Sequence, residues 1–160
     1  MVFPLLFTLL LGIVWFGRAF NIYSTITQAA QQGAITAARA TCATCPGGPS
    51  FLSDATVTGV VEAVMKSSSL GTSPTVILVN PNPAAPVFCA NPPNTCNVVA
   101  TDNIKVCHNV LLNPPLDPSI PPQCGAIVSF RYKFNLSLPF TSLNFQDIVL
   151  SAQAQSRMEN

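Results

Sequence analysis

The sequence predicts an α+β protein, with a long N-terminal apolar helix followed by a small head in which a short helix packs on an antiparallel sheet of about four strands. Three observations predict this class. Residues 1–40 are first apolar and then amphipathic with a helical repeat, residues 51–71 carry a second, shorter helical repeat, and the C-terminal half alternates apolar and polar residues. Such alternation is typical of antiparallel strands with one solvated face, and helices that precede strands are typical of α+β domains. We therefore expect residues 1–40 to form the helix and residues 41–160 to form the head.

The first helix is predicted to run from about Pro4, which suits a first helical turn, to about Ala40, because the helix-breaking sequence CPGGPS follows. Residues 2–17 contain no charged residue, so the first half is apolar all round. The second half is amphipathic, and its apolar stripe is made of small residues that would let another surface approach closely. The stripe consists of Ala19, Ile22, Ile26, Ala29, Gly33 and Ala37, with Ala30, Ala34 and Ala38 beside it. The opposite side carries Asn21, Ser24, Gln28, Gln31 and Gln32.

A second helix is predicted within FLSDATVTGVVEAVMKSSSLG, which begins at Phe51. Ser53 or Asp54 can cap its N-terminus, and Gly71 follows where a glycine often ends a helix. Its predicted buried face consists of Val57, Val60, Val61, Val64 and Met65.

Strands are predicted at TVILV (75–79), DNIKVCHNVLL (102–112), AIVSFRYKFNLSL (126–138) and DIVLSAQAQSRME (147–159). The proline-rich stretches 80–96 and 113–123 are predicted to be loops. In the second strand the alternation places on one face Ile104, Val106, His108, Val110 and Leu112. In the third it places together Ala126, Val128, Phe130, Tyr132, Phe134, Leu136 and Leu138, and in the fourth Ile148, Leu150, Ala152 and Ala154.

The composition is unusually poor in charge. Charged residues make up 8% of the chain, against about 25% in typical soluble domains. The formal net charge is +1, so no electrostatic field favours nucleic acid or an acidic substrate as a partner. Low charge also protects poorly against association, which argues against a freely diffusing monomer.

The chain contains an even number of cysteines, at Cys42, Cys45, Cys89, Cys96, Cys107 and Cys124. An even set in a small proline-rich chain favours disulfides in an oxidising compartment over a zinc site, since there is one histidine and no repeated C-x-x-C pair. Sequence alone leaves 15 pairings open for three bridges, as combinatorics requires. Pairing between neighbours in the sequence is the interpretation we favour: Cys42–Cys45, Cys89–Cys96 and Cys107–Cys124. An open dithiol at Cys42 and Cys45 is the alternative.

No catalytic, cofactor-binding or metal-binding residue is predicted. The acidic residues are spread singly, without the pairing that acid–base catalysis uses. His108 lies on an apolar strand face, which favours a half-buried histidine hydrogen-bonded to a neighbouring loop. The CATC pair follows a helix C-terminus, where the dipole disfavours a thiolate, so a staple between helix and head is favoured over redox chemistry.

The apolar N-terminal run is open to several interpretations. A secretory signal needs a basic segment before its apolar core, and no Lys or Arg precedes this one. A membrane-spanning helix needs about 20 apolar residues, and the run approaches that length before Arg18. A helix that is apolar all round is otherwise stable only among other helices.

The segment FPLLFTLLLGIVWFGRAFNIYSTITQAAQQGAITAARA resembles the N-terminal region of TadE-like pilus proteins. In that family a proline, a leucine run, a glycine and an FGRA motif precede a polar helix rich in AA and GA pairs. The matching residues are Pro4, the Leu5–Leu11 run, Gly12, Phe16 to Phe20, Ala29-Ala30, Gly33-Ala34 and Ala37-Ala38-Arg39. Trp15 stands where the family has an acidic residue. The family's basic leader, cleavage site and early glutamate normally lie just before this segment.

The resemblance implies a pilin-like fold and a structural subunit, major or minor, of a bacterial Tad-type, type IV-related surface filament of the kind used in cell adhesion. It implies an inner-membrane precursor and then an extracellular polymer with copies of itself or other pilins as partners. A different class, a membrane-anchored extracytoplasmic redox or binding protein that uses Cys42 and Cys45, is the alternative. The residues expected to form the membrane and polymerisation helix are Pro4, Leu5, Leu6, Leu9, Leu10, Gly12, Trp15, Phe16, Gly17, Ala19, Ile22 and Ile26.

Overall fold

A computed structural model describes residues 3–42, 50–68, 70, 86–89, 94–99, 104–113, 121–137 and 144–158. The helices are α1 (Phe3–Ala38) and α2 (Asp54–Ser67). The strands are β1 (Ala40–Cys42), β2 (Ser50–Phe51), β3 (Thr95–Val99), β4 (Ile104–Leu111), β5 (Cys124–Ser137) and β6 (Asn144–Arg157). The long apolar helix, the short helix and a four-stranded antiparallel sheet confirm the predicted α+β class. The predicted strand 75–79 and Gly71 lie outside the described residues.

The main sheet has the antiparallel order β3-β4-β5-β6, while β1 and β2 form a separate pair. The β5–β6 hairpin is its longest part, with Cα partners from Gly125↔Arg157 to Ser137↔Asn144. Strand β4 pairs with only the first part of β5, between Leu111↔Cys124 and Lys105↔Ser129. The far half of the hairpin therefore extends beyond β4.

The core lies between one face of this sheet and the two helices. The second half of α1 packs against β6, α2 and β5. The predicted small-residue stripe is buried from Ile22 to Ala38, as the amphipathic pattern requires, and Ala19 at its N-terminal end is half-buried. The buried apolar residues of this core are Ile22, Ile26, Ala29, Ala30, Ala34, Ala37, Ala38, Val57, Val61, Met65, Ile104, Val106, Ala126, Val128, Phe130, Ala152 and Ala154.

Small residues let α1 approach both α2 and the sheet. A Cβ built on Gly33 would lie 2.6 Å from Val61 Cγ2 and 3.3 Å from Val128 Cγ1. Real Cβ atoms do not tolerate the first distance, so hydrogen is the only side chain that fits at this three-way contact. The partner surface of the stripe is therefore the chain's own head.

Helix α2 begins where the sequence predicts. Ser53 is the N-cap, and its hydroxyl accepts a hydrogen bond from the Thr56 amide at 3.3 Å. Val57, Val61 and Met65 are buried, whereas Val60 and Val64 are only half-buried at the edge of the predicted face.

A bulge in β4 corrects the predicted face of that strand. Cys107 pairs with Ile127 and Val110 with Gly125, so β4 has one residue more than β5 between these pairs. Asn109 lies in this bulge and has a φ of 58°, a left-handed conformation that asparagine tolerates. The side chain of Val110 therefore shares a face with that of Cys107, and the predicted single face from Ile104 through Leu112 is wrong beyond His108.

The predicted local pairing of the later cysteines is also wrong. Cys89 is bonded to Cys124 and Cys96 to Cys107. Cys96 belongs to β3 rather than to a loop, and strand register places it opposite Cys107. A bridge between Phe88 and Val110 holds the chain before Cys89 beside β4, so cross-strand neighbours override sequence neighbours. The Cys42–Cys45 prediction lies outside the described residues.

Candidate assembly surface

The first half of α1 projects beyond the head and exposes apolar side chains. Phe3 is 83% exposed and Phe16 is 80% exposed, although both are large and apolar. The exposed large apolar residues of this half are Phe3, Leu6, Phe7, Leu9, Leu10, Ile13, Val14, Phe16 and Phe20. We call residues 3–20 of α1 the uncovered helix half. A continuous apolar surface of this size marks a site of lipid or protein contact.

The predicted membrane and polymerisation residues divide between two environments. Leu6, Leu9, Leu10, Phe16 and Gly17 are exposed on the uncovered helix half, and Gly12, Trp15 and Ala19 are half-buried there. Ile22 and Ile26 are buried in the chain's own core. The side chains of Pro4 and Leu5 lie outside the described residues.

One face of the uncovered helix half continues the buried stripe of the second half. Leu11, Trp15 and Ala19 are half-buried and precede Ile22 and Ile26 at helical spacing. Arg18 lies 5.9 Å from the centre of the Trp15 ring, a cation–π distance. The first charge of the chain is thus held against an aromatic ring at the C-terminal end of the apolar surface.

The two small residues of this surface leave room for a neighbour. A Cβ built on Gly12 or on Gly17 meets no atom within 4 Å. Their hydrogens therefore do not serve the packing of this chain, in contrast with Gly33. Small residues at such positions let helix backbones approach closely in apolar surroundings.

A hydrogen-bonded group at the other end of α1 joins the helix to the head, and we call it the helix–head joint. His108 is buried, with Nδ1 3.1 Å from the Ala37 carbonyl oxygen and Nε2 2.9 Å from Asp54 Oδ1. Asn97 Nδ2 donates to the other carboxylate oxygen of Asp54 at 2.8 Å. The ring of Phe51 stacks on the imidazole with centroids 5.0 Å apart. The joint thereby connects α1, α2, β2, β3 and β4.

Hydrogen-bond chemistry defines what the joint does. The Ala37 carbonyl is one of the last carbonyls of α1, which have no partner within the helix. Because a carbonyl oxygen only accepts hydrogen bonds, His108 Nδ1 donates to Ala37, while Nε2 lies within hydrogen-bonding distance of the Asp54 carboxyl group. The Asp54 side chain lies in the first turn of α2, where the helix dipole favours an acidic group.

The partners of His108 differ from the expected loop contact. The sequence predicts Asp54 at a helix start and His108 on an apolar strand. Because the two residues lie far apart in the chain, the sequence does not predict their contact. Among the described residues no group of three His, Cys, Asp or Glu side chains is arranged to hold a metal ion. The arrangement forms a structural link between the two helices and the sheet.

Comparison with known families bears directly on the uncovered helix half. Residues 1–34 match the family model described as TadE-like protein. The chain carries a TadE-like N-terminal segment. The match covers the uncovered helix half and most of the buried stripe, and it confirms the resemblance seen in the sequence. No curated protein and no solved structure gives a significant match to the chain.

Most of the TadE-like segment belongs to a helical span, Leu6–Ala38, that is long and apolar enough, by length and composition, to cross a membrane. Very little of its most apolar part is buried within the chain. The segment, its exposure and the disulfides in the head fit a protein associated with a Tad pilus and anchored in a membrane.

Proposed function

We propose that this protein is a structural subunit of a Tad-type, type IV-related surface filament. In this proposal the uncovered helix half first anchors the subunit in the inner membrane and then packs in the filament against copies of itself or other pilins. The role is structural rather than catalytic. The observation that carries the proposal is a TadE-like helix whose N-terminal half is apolar, exposed and free of charge before Arg18.

The energetics of exposure support a membrane-bound precursor. Leaving one large apolar side chain in water rather than burying it costs roughly 1.5–3 kcal/mol. The uncovered helix half presents many such side chains, so water is a poor environment for it. Residues 3–17 span about 22 Å as a helix, which is most of a hydrocarbon core about 30 Å thick.

Assembly into a filament also keeps the apolar side chains of the uncovered helix half away from water. Helices in lipid gain little hydrophobic energy by association, so close packing at small residues supplies much of the attraction. Gly12 and Gly17 have space around them that a second helix can fill. A repeated heterologous contact whose rotation does not close produces a helical filament.

The test is to shear surface appendages from the source cells, image them, and quantify this protein and its N-terminal peptide by mass spectrometry. Dominance in a filamentous fraction identifies a major subunit, and a trace amount identifies a minor or tip subunit. Ile13→Lys places a charge on the uncovered helix half and should remove the protein from the fraction. Gln31→Lys is the matched control on the exposed polar side of the covered half. Retention wholly in the membrane while filaments form without it contradicts the proposal.

A further inference from the structure

We propose that the face of the main sheet turned away from the helices binds an acidic polysaccharide, whose carboxylates are held by Lys105, Arg131 and Arg157. We call this surface the outer sheet face. It consists of every second residue in 105–107, 127–133 and 149–157. Such binding goes beyond the proposed structural role and does not depend on it.

Strand alternation and register place the three cations on one face. Lys105 lies between two buried core residues of β4, and Arg131 lies between two residues of β5 that belong to the core or pack against it. Since successive side chains of a strand point to opposite faces, both cations lie on the side away from the helices. Arg157 shares that side, because it pairs with Gly125, the neighbour of the core residue Ala126.

The three cations are spread over the outer sheet face. Lys105 lies opposite Ser129, and Arg131 follows Ser129 by two residues in β5. Diagonal neighbours of this kind are about 7–8 Å apart. Arg157 lies opposite Gly125, which is about 13 Å from Ser129 along the strand. This spread suits a polymer with repeated anionic groups better than a single small anion.

The charge of the three cations is not balanced by a neighbouring acid. None of them forms an ion pair with an acidic side chain in the part of the chain that the structure describes. Lys133 lies on the same face and has an interaction partner of its own, so it is not one of the three. Asp54 and Glu62 belong to α2, which packs on the other face. The side chain of Asp147 in β6 lies outside the described residues.

Uncompensated cations close together favour an anionic partner. Lys105 and Arg131 repel each other, and a carboxylate bound between them relieves that repulsion. Arginine holds a carboxylate by two parallel hydrogen bonds, and lysine acts as a point charge. Lys105 and Arg131 are partly exposed and Arg157 is exposed, so a ligand can reach all three. The net charge of +1 does not reveal this uneven distribution.

The neighbours of the cations favour a polysaccharide over a nucleic acid. Ser151 lies opposite Arg131, and Gln153 lies opposite Ser129. Their hydroxyl and amide groups can donate to and accept from sugar hydroxyls. Single-stranded nucleic acids instead bind through bases stacked on aromatic rings, and the described residues of the outer sheet face include no aromatic side chain.

The test uses the full chain in a neutral detergent, immobilised at high density through an N-terminal tag, so that neither a membrane nor a filament is needed. The probe is fluorescent polygalacturonate, and its fully methyl-esterified form is the uncharged control. Exposed ion pairs are individually weak, and dense display lets one polymer engage several copies. We expect at least tenfold more polygalacturonate than ester to be retained at low salt. Because salt screens exposed charges, the difference should shrink as salt is added.

Matched variants separate the outer sheet face from net charge. Lys105→Gln with Arg131→Gln should lower retention at least fivefold. Arg39→Gln with Lys66→Gln changes the net charge equally in the two helices and should retain the polymer. The unfolding temperature of each variant shows that it is folded.

A second pair of variants adds a charge and leaves the three cations in place. Gln153→Glu puts an acid at an exposed position of the outer sheet face and should lower retention, whereas Gln31→Glu on the exposed side of α1 should not. Equal losses within either pair of variants, or no retention of polygalacturonate, overturn the proposal. Duplex DNA retained as well as polygalacturonate overturns the choice of partner.

Discussion

His108 Nε2 lies 2.9 Å from Asp54 Oδ1, which links the middle of β4 to the first residue of α2. The other ring nitrogen of His108 reaches the Ala37 carbonyl at the end of α1. One buried side chain thus holds the C-terminus of one helix and the N-terminus of the other. The position of α1 relative to the head depends on this pair.

Asp54→Ala is expected to destabilise the head, since it removes the carboxyl group that His108 Nε2 and Asn97 Nδ2 both contact. We expect a loss of roughly 1–3 kcal/mol, the usual cost of leaving a buried polar group without its hydrogen-bond partner. The double variant with His108→Ala should cost less than the sum of the single variants. Thermal unfolding of the full chain in detergent, followed by circular dichroism, measures these differences.

Glu62→Ala is the control for this prediction. Glu62 forms a 3.4 Å ion pair with Lys66 on the surface of α2, and the Lys66 side chain is 59% exposed. An exposed pair of this kind contributes less than about 1 kcal/mol. Equal losses of stability in Asp54→Ala and Glu62→Ala would show that the helix–head joint stabilises the protein no more than an exposed ion pair does.

Gly33→Ala is expected to destabilise the protein although alanine is the better helix former. The new methyl group would collide with Val61 and approach Val128 closely. Overpacking costs typically about 1–3 kcal/mol, which exceeds the gain of about 1 kcal/mol in helix propensity. The same unfolding measurement detects the shift.

Gly59→Ala in α2 is the matched control for Gly33→Ala. A Cβ at Gly59 meets no atom within 4 Å, and the position is exposed. We expect this variant to be stabilised by up to about 1 kcal/mol through helix propensity alone. If both variants were stabilised, the three-way contact at Gly33 would be looser than the structure indicates.

Removing either of the two disulfides seen among the described residues should have a different effect on stability. Cys89 and Cys124 are 35 residues apart, whereas Cys96 and Cys107 are 11 apart. In the chain-entropy model the longer loop contributes about 1 kcal/mol more. Cys89→Ser with Cys124→Ser should therefore lower stability more than Cys96→Ser with Cys107→Ser. Non-reducing peptide mapping checks the pairing, and a Cys89–Cys96 peptide would contradict it.

Cys42→Ser with Cys45→Ser distinguishes the proposed staple from the alternative redox role. Strand β1 begins at Ala40, two residues past the end of α1, and ends at Cys42. As a staple the pair should stabilise the helix–head connection, so the variant should unfold at a lower temperature and assemble less well. Intact stability with lost thiol–disulfide exchange would favour the redox protein instead.

Local patterns were sufficient for the elements with strong periodicity. The stripe from Ile22 to Ala37 and the cap at Ser53 were predictable, because spacing and capping chemistry act within a few residues. The strand Thr95–Val99 was hidden by the prolines before it. The bulge at Asn109 was also unpredictable, since it depends on how β4 meets β5 and not on β4 alone.

The sequence by itself determined that this protein has an apolar, TadE-like helix half and an α+β head, because hydrophobic periodicity and charge distribution are properties of short segments. The tertiary structure alone decided which cysteines pair, and that Gly33 lies in close contact with Val61 and Val128. It also decided that His108 joins the two helices by contacting Ala37 of α1 and Asp54 of α2. These features depend on strand register and on residues distant in the chain. Side chains from separate segments become partners only when the sheet brings them within hydrogen-bonding distance.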